Sequence, residues 1–310
     1  MVPAKEEMSM PSDSITVKAS AYWDSVKPEA LPRRYWLFDA CIRSINRRLG
    51  VDSAVWTAGL MDRLRASLNG TVLKRGISIG CGAGGKELKL IREGLVHEFD
   101  LYEISQARIS QGIELFRSAG LAGRVNFSAA DGLSALRQRE AYDLVYWDSA
   151  LHHMPDVTEA LELSVNAVRK GGFIIVNEYV GPNRFQWTDE QIRFANLLRA
   201  ALPDRFFSKS AGARFPVTRT VTKPTIEAMI ALDPTEAPDS EAILPAIEQV
   251  LSGAQVWLLG GVIYHLALND VLANFRLPED QALLDLAMLS DEALSAAGHN
   301  HFAAAIFRMP

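Results

Sequence analysis

Short apolar runs alternate with amphipathic stretches through the middle of the chain. Ile77-Ser78-Ile79, Phe99 to Glu103, Val125 to Ala129, Tyr142 to Trp147 and Phe173 to Asn177 have the length and the β-branched or aromatic content of buried strands. Between them, Ile109, Ile113 and Phe116 recur at i, i+4, i+7, and Leu161, Val165 and Val168 do the same. Each set predicts a helix that lays one apolar stripe on a sheet. Ser105 is placed to cap the first of these helices and Gly171 to end the second. Strand and helix in alternation predict a doubly wound α/β sheet.

The flanks read differently. From Ala21 to Asn69 the pattern is helical and dense in aromatics and arginine, among them Tyr22, Trp23, Arg33, Trp36, Arg43, Arg47, Arg48 and Trp56. After Tyr179 the alternation breaks. Thr188 and Gln191 form a capping-box pattern ahead of a helical stripe of Phe194, Leu197, Leu198 and Ala201. Pro203 to Pro238 is irregular, Ser240 to Leu251 reads as a helix and Ala254 to Leu258 as a sixth strand. Gly261 to Ala297 is largely helical, and His301 to Arg308 reads as a last strand. The expected organisation is a disordered tail at 1–20, a helical cap at 21–70 and a sheet core at 71–180. A cap insertion at 181–239 follows, and 240–310 completes the sheet with a helical insertion at 261–298.

Composition narrows the function classes. With 48% hydrophobic and 22% charged residues, the 310-residue chain is globular rather than disordered. A net charge of −5 argues against a nucleic-acid partner, which selects a basic face. Cys41 and Cys81 are too few for a metal quartet or a disulfide framework, which predicts a reducing compartment. The polar N-terminus lacks the apolar core of a secretory peptide. Val256 to Leu268 is too short for a membrane span and reads as a buried strand followed by a buried helix. The expectation is a cytoplasmic protein with no membrane partner. No metal-ligand spacing is visible, so no metal is expected.

Chemistry concentrates after the first strand. Gly80-Cys81-Gly82-Ala83-Gly84-Gly85 forms a glycine-rich turn between a strand and a helix, where a ligand can approach free N–H groups. Glu103 follows the second strand, about 20 residues on, where a ribose-binding carboxylate belongs. Asp131-Gly132 adds an acid beside a small residue after the third strand. These three elements predict a nucleoside-binding crevice.

The spacing Gly80-x-Gly82-x-Gly84 resembles the first motif of the class I S-adenosylmethionine-dependent methyltransferases. Asp143-Leu144-Val145 with Leu151 to Asp156 is similar to that family's fourth-strand region, and Val168 to Phe173 to its turn into the fifth strand. Asn177 to Asp189, Ile45 to Arg48 and Asp233 to Ala237 resemble a bacterial subgroup associated with glycan or natural-product biosynthesis. The resemblance implies a Rossmann-like seven-stranded sheet with its last strand antiparallel. It also implies S-adenosylmethionine as cofactor. Gly80, Cys81, Gly82 and Gly84 would face its methionine part, Glu103 the ribose, Ile104, Asp131 and Gly132 the adenine, and Asp148 the methionine amino group.

Candidate catalytic residues stand at the ends of the fourth and fifth strands: His152, His153 and Glu178. Tyr22, Trp23, Arg47, Tyr179, Arg184 and His265 are the candidate acceptor wall. The expected activity is methyl transfer to a hydroxyl or amine of a small natural-product or sugar-like molecule, with a homodimer as the candidate assembly. A nicotinamide-dependent oxidoreductase and a non-catalytic nucleoside-binding assembly protein are the rival readings.

Overall fold

The computed structural model describes residues 12–26, 34–209 and 217–310. Residues 1–11 of the expected tail, Arg33, and 210–216 of the irregular stretch lie outside the described residues.

Three helices precede the sheet: α1 (Ser12–Ser25), α2 (Asp39–Arg48) and α3 (Ala58–Leu68). Then come β1 (Leu73–Ile79), α4 (Gly85–Arg92), β2 (Val96–Tyr102), α5 (Gln106–Ser118), β3 (Val125–Ser128), β4 (Tyr142–Asp148), α6 (Val157–Ala167) and β5 (Val168–Tyr179). The remainder holds α7 (Asp189–Ala201), α8 (Ile226–Leu232), α9 (Ile243–Val250), β6 (Gln255–Gly260), α10 (Gln281–Ala296) and β7 (Phe302–Arg308). The sheet order is β3-β2-β1-β4-β5-β7-β6. β1 to β5 run parallel, and β7 is antiparallel to both its neighbours. The expected Rossmann-like seven-stranded sheet with an antiparallel last strand is therefore the observed fold.

Strand residues alternate between two cores, one per face. Phe173 and Ile175 of β5 join the core shared with the N-terminal helices, whereas Ile174 and Val176 join the core under α6 and α9. Sequence between β3 and β4 crosses from one side of β1 to the other. The carboxyl ends of β1 and β4 thus form the switch point of the sheet, where open α/β sheets bind ligands.

Several local expectations need correction. The helix α1 begins inside the stretch expected to be tail, because its far end finds tertiary partners. Ser20 donates to the Ile104 carbonyl (2.9 Å), and Asp24 accepts from the Ser105 hydroxyl (2.6 Å) and the Ala107 amide (3.1 Å). Ser105 also caps α5 as expected, accepting from the Arg108 amide. Ile113, however, is exposed, and Gly112 faces inward instead. A side chain at 112 would strike the Phe127 ring at 2.4 Å, so α5 sits closer to β3 than an isoleucine stripe allows. Gly171 does not end α6, which stops at Ala167; it lies within β5, where the β4–β5 register shifts.

The capping box of α7 is present, but its buried face is Gln191, Ala195 and Arg199, while Leu197 is exposed. Arg199 is held there by the Ala267 and Thr218 carbonyls (both 2.7 Å) and by Asp270. Val256 and Leu258 are exposed because β6 is an edge strand, not a buried one. The 261–298 stretch is largely helical, as expected, but in three pieces. A π-helical turn at Val262–Ala267 and a short 3-10 turn precede α10. Among the described residues no helix is long and apolar enough to cross a membrane.

One buried ion pair fastens the N-terminal helices to the C-terminal elements. Arg48 of α2 donates to Asp291 of α10 (2.9 Å) and to the Leu259 carbonyl (2.6 Å). Asp291 is fully buried and also accepts the amides of Gly261 and Ile263 at 3.0 and 2.8 Å. Removing one partner of such a pair leaves an uncompensated buried charge. Asp291→Ala should lower the unfolding free energy by about 3–5 kcal/mol in chemical denaturation. A loss near or below about 1 kcal/mol, the range of exposed pairs, would contradict this assignment.

Candidate active site

A cavity of about 990 Å³ opens at the switch point. That is the upper end of the usual range for ligand pockets, about 300–1,000 Å³. Gly80, Cys81 and Gly82 line it from the turn after β1, Glu103 and Ile104 from the end of β2, and Asp131 and Gly132 from the end of β3. His153 and Met154 line it beyond β4, and Trp23, Arg184 and Thr235 close it from the flanking segments.

The turn geometry explains its glycines. Gly82 has φ +59°, and a side chain there would meet no atom within 4 Å, so it faces open space. Gly84, also at positive φ, instead backs onto Phe116 and Leu101 and does not line the cavity. Glu103 braces the turn: its two carboxylate oxygens accept the Gly82 and Ser105 amides, both at 2.8 Å. Asp131 caps the short turn after it by accepting the Leu133 amide (3.0 Å). Asp148 is buried and already partnered by Lys86 Nζ (2.8 Å), the Tyr146 hydroxyl (2.6 Å) and Ser149 (3.2 Å). Lys86, which sequence reasoning passed over, lines the cavity in its place.

Comparison with known proteins agrees with this geometry. Residues 73–212 match a family model described as a methyltransferase domain. That segment, somewhat under half of the chain, is similar to a methyltransferase domain. Over 124 residues the chain is 26% identical to 27-O-demethylrifamycin SV methyltransferase of Amycolatopsis mediterranei (strain S699). That match spans 40% of this chain and 45% of the relative, so it reaches under half of the relative's length. Geranyl diphosphate C-methyltransferase from Streptomyces coelicolor A3(2) aligns with 97% of this chain and 100% of its own, at TM-score 0.56 and 12% identity. Haemonchus contortus phosphoethanolamine N-methyltransferase 2 aligns with 94% of this chain and 60% of its own, at TM-score 0.50 and 14% identity. At these identities the structural likeness is one of fold.

At the other end of the cavity, a polar cluster ties three loops together. Glu178, buried at the end of β5, accepts the Ala150 and Leu151 amides (2.7 and 2.8 Å) and lies 2.6 Å from His152 Nδ1. Burial opposes charge on His152, but Glu178 and then Glu236 outweigh it and raise the imidazole above its ordinary pKa. Burial, reinforced by His152, lowers that of His153. His153 Nδ1 meets the Thr235 carbonyl at 3.0 Å, and its ring stands edge-on to Trp23. Of these three candidates only His153 reaches the cavity wall; His152 and Glu178 sit behind it.

The expected acceptor wall is divided. Trp23 and Arg184 line the cavity. Arg184 also holds the 233–238 loop, donating to the Glu236 and Pro234 carbonyls at 2.7 and 2.8 Å. Tyr22 stacks edge-on against Trp23 without lining the cavity, and burial, then Glu236, raises its phenol pKa. Arg47 is exposed on α2, outside the lining, because the inward face of that helix is taken by apolar residues and Asn46. Tyr179 and His265 do not line the cavity; they join Tyr35, Phe185 and Phe302 in an aromatic cluster that meets His152 through Tyr179. Thr235 and Glu236 were missed as single site residues because they meet the histidines only through folding of a distant loop.

The aromatic cluster makes a pH prediction. Burial, then Arg34, lowers the His265 pKa to about 4; burial, then His265, lowers that of His301 to about 3. An unfolded histidine titrates near 6.5. The folded state therefore gains from both rings above pH 6.5 and loses that gain as pH falls towards 4 and 3. The raised His152 acts in the opposite sense. His301→Phe should flatten the decline of the denaturation midpoint between pH 7 and 5. An equally steep decline in that variant would show that His301 is not the source.

Proposed function

We propose that this domain transfers a methyl group to a hydroxyl or amine of a small natural-product or sugar-like molecule. The observation that carries the reading is a single cavity joining the glycine turn to the His153 end under Trp23, Arg184 and Thr235. When bound, S-adenosylmethionine supplies a methyl group already activated on a sulfonium. The chain's own work is then to hold, align and dry the reactants.

In this reading Gly80, Cys81, Gly82 and the helix start at Lys86 receive the methionine part. Gly84 shapes their turn from behind, and Asp148 acts through Lys86. Glu103 takes the ribose hydroxyls with the lone pairs left free by its two backbone bonds. Ile104, Asp131 and Gly132 receive the adenine. The acceptor lies against His153, Trp23 and Arg184, with His152 and Glu178 as positioning residues behind His153. Hydroxyl acceptors are favoured over amines, because the relative's name gives an O-demethyl compound, 27-O-demethylrifamycin SV. A cytoplasmic biosynthetic step suits such a reaction.

Trp23 and Trp56 line the cavity, so tryptophan quenching reports ligand entry. Glu103→Ala should weaken S-adenosylhomocysteine binding by about 1.5–3 kcal/mol, roughly 10- to 150-fold. An unchanged dissociation constant in the folded variant would remove Glu103 from the site. Methyl-labelled S-adenosylmethionine offered with hydroxylated polycycles, sugars and amines should label oxygen or nitrogen. Label found on carbon alone would overturn the acceptor class.

A further inference from the structure

We propose that His152, His153 and Glu236 form a site for a divalent first-row transition cation of the Zn²⁺ or Mn²⁺ kind, at the acceptor end of the cavity. One donor atom of each residue lies within 4.8 Å of the others. His152 Nε2 and Glu236 Oε1 are 3.6 Å apart. Two ligands each about 2.1 Å from one tetrahedral cation stand roughly 3.4 Å apart, so this pair is nearly in place and the third ligand, His153, has to draw in by at most about 1.4 Å.

The surroundings have the form that metal-ligating imidazoles require. Each ring is fixed through Nδ1, His152 against Glu178 (2.6 Å) and His153 against the Thr235 carbonyl (3.0 Å). With Nδ1 turned to an acceptor in both rings, Nε2 is the atom each offers a cation, and His152 would release its second proton on binding. Glu178 is itself locked by the Ala150 and Leu151 amides, so the first ring cannot turn away.

Two nitrogens and one carboxylate oxygen favour borderline cations over Mg²⁺ or Ca²⁺, which take oxygen sets. Three protein ligands leave a coordination position open. Of the three ligands His153 lines the cavity, so a cation held there would reach the acceptor space beside that ring, where a hydroxyl oxygen could fill the open position. The use assigned to the cation rests on the methyltransferase reading; the site itself does not. Sequence spacing hides the site, since Glu236 comes from a loop far along the chain from the two histidines.

The test uses the full chain, stripped with chelator and titrated with Zn²⁺ by calorimetry and with Co²⁺ by visible absorption. One equivalent should bind in the micromolar range or tighter, and Co²⁺ should give the intense bands of low-coordinate cobalt. Glu236→Gln should weaken binding by about 100-fold or more, and His153→Gln by a similar factor. Both variants should keep the wild-type circular dichroism spectrum. If one variant does not fold, the other carries the comparison. Absence of stoichiometric binding in the wild type, or binding equally tight in the folded variants, would overturn the site. S-adenosylhomocysteine binding measured on the same sample separates the two failures. Its presence without cation binding sinks the metal site alone, and its absence sinks the methyltransferase reading.

Discussion

Parallel strands that spread in both directions from a central pair must leave a crevice at their carboxyl ends. In this chain that pair is β1 and β4, and the groups considered for chemistry hang from the loops beside it. The glycine turn after β1 supplies amides, the loops after β2 and β3 supply carboxylates, and the loop after β4 supplies imidazoles. The N-terminal helices and the 233–238 loop then only have to cover an opening that strand order has already made.

Buried polar groups hold that cover in place. Glu178 is the hub at one end, since a buried carboxylate must be answered by donors and finds three of them in the loop after β4. Glu103 does the same for the glycine turn and the start of α5. Asp24 extends this second network to α1, which is how a helix at the chain's beginning reaches the cavity roof. Arg184 gathers the 233–238 loop by its carbonyls. Hydrogen bonds whose loss would be costly thus set the cavity walls, beside the apolar core that the N-terminal helices share with the sheet.

How far the sequence discloses this follows from the range of each interaction. The strands were legible because burial on both faces makes continuous apolar runs, and the turn because its glycines answer a local backbone demand. Ser105 and Thr188 were legible as caps for the same reason. Ile113 and Leu197 misled, since helix periodicity gives a stripe but not the angle at which the helix meets the sheet; Gly112 and Arg199 decided that angle. Arg48 reads only as one of several arginines in the N-terminal flank, because its partner Asp291 lies in the last helix, beyond any local pattern. Lys86, Thr235 and Glu236 enter the site through the same kind of distant pairing. The start of α1 was hidden too, because weakly patterned sequence became helical only by docking on the loop after β2.

The central claim is that the crevice between β1 and β4 is built for a sulfonium nucleoside. Calorimetric titration of the wild-type protein with S-adenosylhomocysteine, and in parallel with NADH, tests it most directly. The account predicts one micromolar site for S-adenosylhomocysteine and no saturable heat with NADH. Tight NADH binding with no response to S-adenosylhomocysteine or S-adenosylmethionine would contradict it.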